Sequence, residues 1–151
     1  MLMQIERGYP AAADTPIPSR PTLRGLHVLV LDDDPLAAII ATLDLEDADA
    51  TFELAHCTHS AHVELDRSIA GGKQFHAAVL DVNLGGGRTS RCVAERLRAM
   101  GVPFVFHTAE PQAIAGDASW SDASGNAPAI GKPSLPGALA AALAGVVERR
   151  R

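Results

Sequence analysis

The stretch LVLDDDP, residues 29–35, places three adjacent carboxylates at the end of an apolar run. Like charges at this spacing repel one another, so such a cluster persists either where water surrounds it or where a cation neutralises it. The residues HVLVL (27–31) suit a strand buried on both faces, and Pro35 suits the first turn of a following helix. The stretch therefore predicts a strand that delivers Asp32 and Asp33 to the edge of a sheet.

From Leu26 onward, short apolar runs alternate with helical patterns, which is typical of βαβ units around a parallel sheet. Five such units are present, which predicts a five-stranded α/β domain. The predicted strands are HVLVL (27–31), TFELAHC (51–57), FHAAVLDV (75–82), VPFVFHT (102–108) and APAIGKP (127–133).

Helical patterns follow each predicted strand. Gly116, Gly125 and many Ser and Asp residues interrupt the pattern after the fourth strand, so only a short or irregular helix is expected there. The other predicted helices are PLAAIIATLDLEDA (35–48), SAHVELDRSIA (60–70, with Val63, Leu65 and Ile69), RTSRCVAERLRAMG (88–101, with Cys92, Val93, Leu97 and Met100) and LPGALAAALAGVVERRR (135–151).

Length and composition restrict the class of protein. A chain of 151 residues with 47% hydrophobic residues has the size of one globular domain, and a net charge of -5 argues against nucleic acid as the main partner. No apolar run approaches the roughly 20 residues of a membrane span, so a membrane partner is not expected. Cys57 and Cys92 are too few for a disulfide framework, which favours a reducing compartment and a cytoplasmic location.

The first residues differ in composition from the rest. Residues 1–24 contain four prolines and no sustained apolar segment, so they do not resemble a signal peptide. We interpret residues 1–24 as a flexible N-terminal tail and residues 25–151 as the folded domain.

Polar residues stand at the carboxyl ends of four predicted strands. Asp32 and Asp33 end the first, Asp81 the third, Thr108 the fourth and Lys132 the fifth. Because parallel strands bring their carboxyl ends to one edge, these groups are expected to converge there. Three carboxylates in one place predict a site for a hard divalent cation, most simply Mg²⁺, which prefers oxygen ligands.

Four of these segments together are specific. VLVLDDDP (28–35), AAVLDVNL (77–84), FVFHTA (104–109) and AIGKP (129–133) occur in an order and spacing that resemble the receiver domain of two-component response regulators, over about residues 26–148. The resemblance implies a flavodoxin-like, doubly wound, five-stranded parallel sheet in the order 2-1-3-4-5, with helices on both faces.

The resemblance also implies phosphorylation of an aspartate. Asp81 would accept a phosphoryl group from a histidine kinase or a histidine phosphotransfer protein. Thr108 would donate a hydrogen bond to a phosphoryl oxygen, and Lys132 would pair with the phosphoryl charge. Both roles are physically reasonable, because phosphoryl transfer depends on positioning and on neutralising the charge of the equatorial oxygens.

The metal ligands follow from the same resemblance. Asp33 would bind Mg²⁺ directly and Asp32 mainly through water, while Asp81 and the backbone carbonyl of Asn83 would supply further oxygens. The family pattern also implies a cis peptide bond between Lys132 and Pro133.

Two features relate the chain to subgroups of this family. DVNLGGG (81–87) and GVPFVFHTAE (101–110) resemble stand-alone alphaproteobacterial receivers with a Phe-Ala-Thr-Gly-Tyr motif, of which Phe106 and Thr108 are retained. In the family, an aromatic residue three positions before the lysine turns inward on phosphorylation. This position is Ala129 here, so the aromatic half of that switch is missing.

Several other residues have a structural and a chemical interpretation. We favour an N-cap for Asp34, a mobile loop rather than a phosphate cradle for Gly85–Gly87, and packing for His107. The spacing of His56, His59 and His62 permits a zinc site, although an exposed helix start is the simpler interpretation. Trp120 either anchors a partner or covers the core.

The sequence leaves several functions open. We expect a stand-alone phosphoacceptor that signals through protein contacts and is not an enzyme, although the receiver segment of a longer hybrid kinase would have the same pattern. A degenerate receiver that binds partners without phosphorylation is the second hypothesis. A small haloacid-dehalogenase-like phosphatase, with Asp32 as nucleophile, is the third.

Overall fold

The computed structural model describes residues 19–151. Residues 1–18 of the predicted tail lie outside this range. Within residues 19–24, Leu23 is buried and its backbone N–H donates to the carbonyl of Ala48. This part of the predicted tail therefore packs against the domain.

Five parallel strands form one sheet in the order β2-β1-β3-β4-β5, as the sequence predicts. Continuous apolar runs form the three central strands because both faces of the sheet are covered. The strands are β1 (His27–Leu31), β2 (Thr51–Ala55), β3 (Ala77–Leu80), β4 (Phe104–Thr108) and β5 (Ala129–Gly131).

The helices follow the strands in alternation. The segment after β4 is irregular, as predicted, because it divides into two short α-helices and one turn of 3₁₀-helix. The elements are α1 (Pro35–Asp47), α2 (Thr58–Gly71), α3 (Arg91–Met100), α4 (Pro111–Gly116), a 3₁₀-helix (Ala118–Trp120), α5 (Ser121–Ser124) and α6 (Ala138–Glu148). Within residues 19–151, none of these helices combines the length and apolar character needed to cross a bilayer.

Some predicted details were wrong. The last helix begins at Ala138 rather than Leu135, because Pro136 is followed by Gly137 in the left-handed region, with φ +85°. Ile69 and Cys92 are exposed, since they lie on the outer faces of their helices. Four predicted strands are shorter in the structure because their flanking residues form loops.

The sheet separates two layers of core. One layer contains Leu29, Leu31, Leu80 and Phe106 with the inner faces of α2 and α3. The other contains Val28, Val30, Val79 and Val105 with α1 and α6. Trp120 belongs to the first layer, where its ring meets Phe106 edge to face with centroids 5.5 Å apart, so it covers the core.

A carboxylate on α1 caps the N-terminus of α6. Gly137, at the N-cap position, has no side chain to accept from the first turn. Asp44 replaces it: its carboxylate accepts from the backbone N–H groups of Gly137, Leu139 and Ala140. This contact fixes α6 beside α1 and satisfies N–H groups that the helix itself leaves unpaired.

We predict that Asp44→Ala lowers the free energy of unfolding by about 1–2 kcal/mol, the usual effect of losing an N-cap. Asp44→Asn should lie between this variant and the wild type, because an amide keeps an acceptor oxygen without the charge. Urea denaturation would measure the change. Asp47→Ala, at an exposed position of the same helix, is the control and should unfold like the wild type. Equal destabilisation by both alanine variants would contradict the capping role.

His107 is a buried polar residue in β4. Its side chain is 2% exposed, and neither ring nitrogen has a hydrogen-bond partner among the described residues. Burial, together with the positive charge of Lys132, lowers the pKa of His107 below its ordinary value of 6.5. The imidazole is therefore kept neutral, and its two unpaired nitrogens reduce the stability of the fold.

We predict that His107→Leu raises the free energy of unfolding by about 1 kcal/mol, because a similar volume is filled without unpaired polar atoms. A histidine whose pKa is lowered by folding binds fewer protons in the native state than in the unfolded state. The free energy of unfolding of the wild type therefore falls as the pH drops below the pKa of the unfolded histidine. The gain of the variant over the wild type should therefore grow below about pH 6.5. Denaturant unfolding of both proteins across this range would measure it, and a pH-independent difference would be the contrary result.

Candidate functional site

The carboxyl edge of the sheet positions two aspartates through the backbone. Asp32 and Asp81 follow the neighbouring strands β1 and β3, in which Leu31 pairs with Leu80. The Asp81 N–H donates to the Leu31 carbonyl at 2.8 Å, and the Asp32 N–H donates to the Ala55 carbonyl at 3.1 Å. These bonds continue the sheet ladder and fix both side chains at one level of the edge.

Asp33 joins this pair. One carboxylate oxygen from each of Asp32, Asp33 and Asp81 lies within 4.8 Å of the others. Asp32 and Asp81 are buried, whereas Asp33 is exposed at the rim. The structure thus brings together the three carboxylates that the sequence predicts to converge.

The donor set suits a hard cation. All three side chains offer oxygen, which Mg²⁺ prefers, and the exposed Asp33 leaves one side accessible for the waters that Mg²⁺ retains. Gly85 contributes space: a Cβ at this position would stand 3.1 Å from the Asp33 Oδ2 atom. A side chain at residue 85 would therefore crowd the ligand oxygen, and the residues present fit a magnesium ion.

Lys132 supplies the positive charge of the site. Its Nζ atom donates to Asp32 Oδ2 at 2.7 Å and to Asp81 Oδ2 at 3.0 Å. The peptide bond that follows it, Lys132–Pro133, is cis, as the resemblance implies. The Lys132 N–H donates to the carbonyl of Thr108 at 2.8 Å, which ties this loop to the end of β4.

Burial and charge act against each other at these groups. Burial raises the pKa of Asp81, and the nearby Asp32 adds to the rise, while the hydrogen bond from Lys132 limits it. For Lys132, burial opposes the charged form, but the bonds to Asp32 and Asp81 outweigh it and raise the pKa of the ammonium. The lysine therefore stays charged and compensates the two buried carboxylates.

Thr108 ends β4, and Asn83 lies in the loop that follows β3. Thr108 is buried, and its Oγ1 atom accepts from the Glu110 N–H at 3.3 Å, so the hydroxyl proton is free to donate elsewhere. Asn83 is exposed and forms a short bridge with Thr89 in the loop after β3. Across residues 19–151, no hydrogen bond to the Asn83 carbonyl is found, so this oxygen is available as a ligand.

The remaining candidates have structural roles or lie elsewhere. Asp34 is the N-cap of α1, and its side chain accepts from the Leu36 N–H at 2.9 Å. His62 Nδ1 lies 3.1 Å from the Arg96 guanidinium. In the described part of the chain, one group of side chains is clustered closely enough to hold a metal ion. It consists of Asp32, Asp33 and Asp81 and contains no histidine.

Two features of the site were missed in the sequence. For the run Gly85–Gly87 the sequence indicates only a mobile loop; the structure adds that all three residues have positive φ and that Gly85 borders Asp33. Residues of α1 at helical spacing also leave large apolar side chains exposed beside the site. This α1 stripe consists of Leu36, Ile39, Ile40 and Leu43, which are between 41% and 66% exposed.

Comparison with known proteins gives no match by sequence and clear matches by structure. No family model matches the chain. No curated protein sequence matches it either. Solved structures with the same fold are, in contrast, numerous.

Three of these structures illustrate the likeness. The response regulator receiver protein from Sinorhizobium medicae WSM419 is 18% identical, with a TM-score of 0.68 over 86% of this chain and 100% of that chain. Chemotaxis response regulator CheY4 of Vibrio cholerae is 21% identical, with a TM-score of 0.59 over 83% and 98%.

The response regulator PhyR from Brucella abortus is a longer neighbour. It is 17% identical, with a TM-score of 0.68 over 86% of this chain and 50% of that chain. The chain therefore spans about half the length of PhyR. The structural neighbours of this chain are response regulator receiver domains, and the chain has the receiver fold.

Proposed function

We propose that this protein is a receiver that accepts a phosphoryl group on Asp81 from a histidine kinase or a histidine phosphotransfer protein, and that it signals through protein contacts. The observation that supports this most directly is the arrangement of Lys132 between Asp32 and Asp81, with Asp33 beside them. The receiver fold supports the same proposal.

In the proposed reaction, a carboxylate oxygen of Asp81 forms the new P–O bond while the P–N bond of a phosphohistidine breaks. The bonding electron pair leaves with the donor imidazole. Lys132 would balance the added negative charge, and the Thr108 hydroxyl would donate to a phosphoryl oxygen. Charge neutralisation and positioning are the main requirements of such a transfer.

Asp32, Asp33, Asp81 and the Asn83 carbonyl would hold Mg²⁺. The bound ion would supply positive charge to the phosphoryl oxygens. The carboxylates also limit where the donor can approach, because Asp33 is exposed while Asp32 and Asp81 are buried. The donor would therefore reach the site from the rim that Asp33 occupies.

The α1 stripe is the surface that such a donor would contact. It begins at Leu36, three positions after the exposed Asp33, so the start of α1 adjoins the rim from which the donor would approach. Contiguous exposed apolar patches are uncommon on soluble proteins, and where they occur they often mark a site of protein contact. We propose that the phosphodonor protein docks on this stripe with a complementary apolar helix face.

The alternative hypothesis is a receiver that binds partners without phosphorylation. Ala129 is the observation that favours it, because this small side chain packs beside the core where the family carries an aromatic switch residue. A haloacid-dehalogenase-like phosphatase remains a third hypothesis, in which Asp32 would be the nucleophile.

We predict that acetyl phosphate with Mg²⁺ adds one phosphoryl group to the wild type, and that Asp81→Asn abolishes the addition because the attacking oxygen is lost. Removal of Mg²⁺ with EDTA should also abolish it. Intact mass and peptide mapping would locate the group. Asp34→Asn is the matched control: it changes the same acidic cluster but keeps an N-cap, and it should be labelled like the wild type.

The outcomes of this experiment separate the three hypotheses. A phosphoryl group located on Asp32, with continued release of phosphate, would support the phosphatase and sink the receiver proposal. No adduct on any residue would favour the binding module.

We predict that Ile40→Lys slows phosphotransfer from a protein donor about tenfold, since a charge in an apolar contact costs about 1–2 kcal/mol. The probes are the purified, autophosphorylated transmitter domains of histidine kinases from the source organism. Labelling by acetyl phosphate should not change, because a small donor needs no docking surface. Ile69→Lys on α2, also an exposed isoleucine (51% against 41% for Ile40) and remote from the stripe, is the control. Equal slowing by both variants would contradict docking on α1.

A further inference from the structure

A second charged site lies at the opposite edge of the sheet. A crevice of about 360 Å³ opens between the C-terminal ends of α3 and α6 and the start of β4. Three arginines, Arg98, Arg149 and Arg150, line it. Val102, Phe104 and Val146 give it an apolar wall, and the polar side chains of Ser124 and Asn126 also line it. We name it the arginine crevice. It is distinct from the aspartate site, which lies where the strands end rather than where they begin.

The three arginines lack carboxylate partners in the part of the chain that the structure describes. The ion pairs found there use Arg24, Arg67, Arg91, Arg96 and Lys132. Within residues 19–151, the arginine side chains that form hydrogen bonds are those of Arg24, Arg67, Arg91 and Arg96, so the three arginines of the crevice bond neither to a carboxylate nor to a carbonyl at the helix ends. These three arginines therefore do not act as hydrogen-bonding caps of the helix C-termini.

Glycines make room for two of the guanidinium groups. A Cβ at Gly101 would overlap the Arg150 guanidinium, and a Cβ at Gly125 would stand 3.3 Å from Arg98 Nε. Both glycines have positive φ, so the backbone itself requires them and no side chain fills the crevice. The guanidinium groups thus lie against bare backbone around one shared space.

The charge of the crevice contrasts with that of the whole chain. Three like charges gather in one place on a protein whose net charge is -5. Guanidinium groups bind phosphate through two parallel hydrogen bonds and stay charged at every physiological pH. A volume of this size is within the range of small-molecule pockets, and the apolar wall suits an organic group beside the anion.

We propose that the arginine crevice binds a small molecule that carries adjacent phosphate groups, either an inorganic phosphate chain or a nucleoside polyphosphate. The phosphates would contact Arg98 and Arg150, with Arg149 adding positive charge. The apolar wall formed by Val102, Phe104 and Val146 would contact the nucleoside where one is present.

Isothermal titration calorimetry of the full chain with pyrophosphate, and separately with ATP, tests this proposal. The titrations should be made without divalent cations and at ionic strength matched with NaCl, so that the aspartate site repels the ligand. Because phosphorylation of Asp81 would require Mg²⁺, binding measured without divalent cations is independent of the phosphorylation proposal. Arg98→Gln and Arg150→Gln should each weaken binding about tenfold or more, because each removes a charged hydrogen-bonding group. Arg67→Gln, in an exposed ion pair of α2, is the matched control and should bind normally.

The two ligands distinguish the source of the phosphates. Tighter binding of ATP than of pyrophosphate indicates that the apolar wall takes a nucleoside, and equal binding indicates a phosphate chain alone. Thermal unfolding without ligand shows whether each variant remains folded. Absence of binding above the NaCl reference would overturn the proposal, as would binding that folded Arg98→Gln and Arg150→Gln variants retain in full.

Discussion

The contact between the Lys132 ammonium and the carboxylates of Asp32 and Asp81 is the constraint on which the site depends. Two buried carboxylates at one edge of a sheet repel each other, and burial raises the pKa of Asp81. The ammonium offsets this repulsion through two hydrogen bonds, at 2.7 and 3.0 Å. The contact also joins the loop after β5 to the ends of β1 and β3, which are remote in the sequence. A receiver fold is the geometry that brings these three ends together.

Charge is divided between the two edges of the sheet. Carboxylates collect where the strands end, and arginines with no carboxylate partner among residues 19–151 collect where β4 begins. Between the edges, Asp44 holds α6 against α1 by accepting from the first turn of α6. The same helix, α1, leaves its apolar stripe exposed beside the aspartates. The helix that Asp44 ties to α6 is thus also the one that presents the most exposed large apolar side chains among residues 19–151.

Much of the fold was predictable because its signals are local. Apolar runs, helix caps and glycine stops gave the order of the elements, and polar residues at strand ends gave Asp32, Asp33, Asp81, Thr108 and Lys132. Features that depend on contacts between distant segments were not predictable. Asp44 lies 93 positions before Gly137, whose N–H it accepts, and no local pattern relates the two. No local pattern predicts that Gly85 borders Asp33, because this proximity becomes visible only when the loop after β3 is folded. Trp120 could not be assigned, since only packing against Phe106 distinguishes a core residue from an exposed anchor.

A crystal structure of the protein grown with Mg²⁺ and beryllofluoride would test the central claim most directly. The account predicts beryllofluoride density continuous with the Asp81 carboxylate, with Lys132 paired to its fluorine atoms and with Mg²⁺ held by Asp32, Asp33 and the Asn83 carbonyl. Density on Asp32 instead of Asp81, or a magnesium ion bound away from these three aspartates, would contradict it.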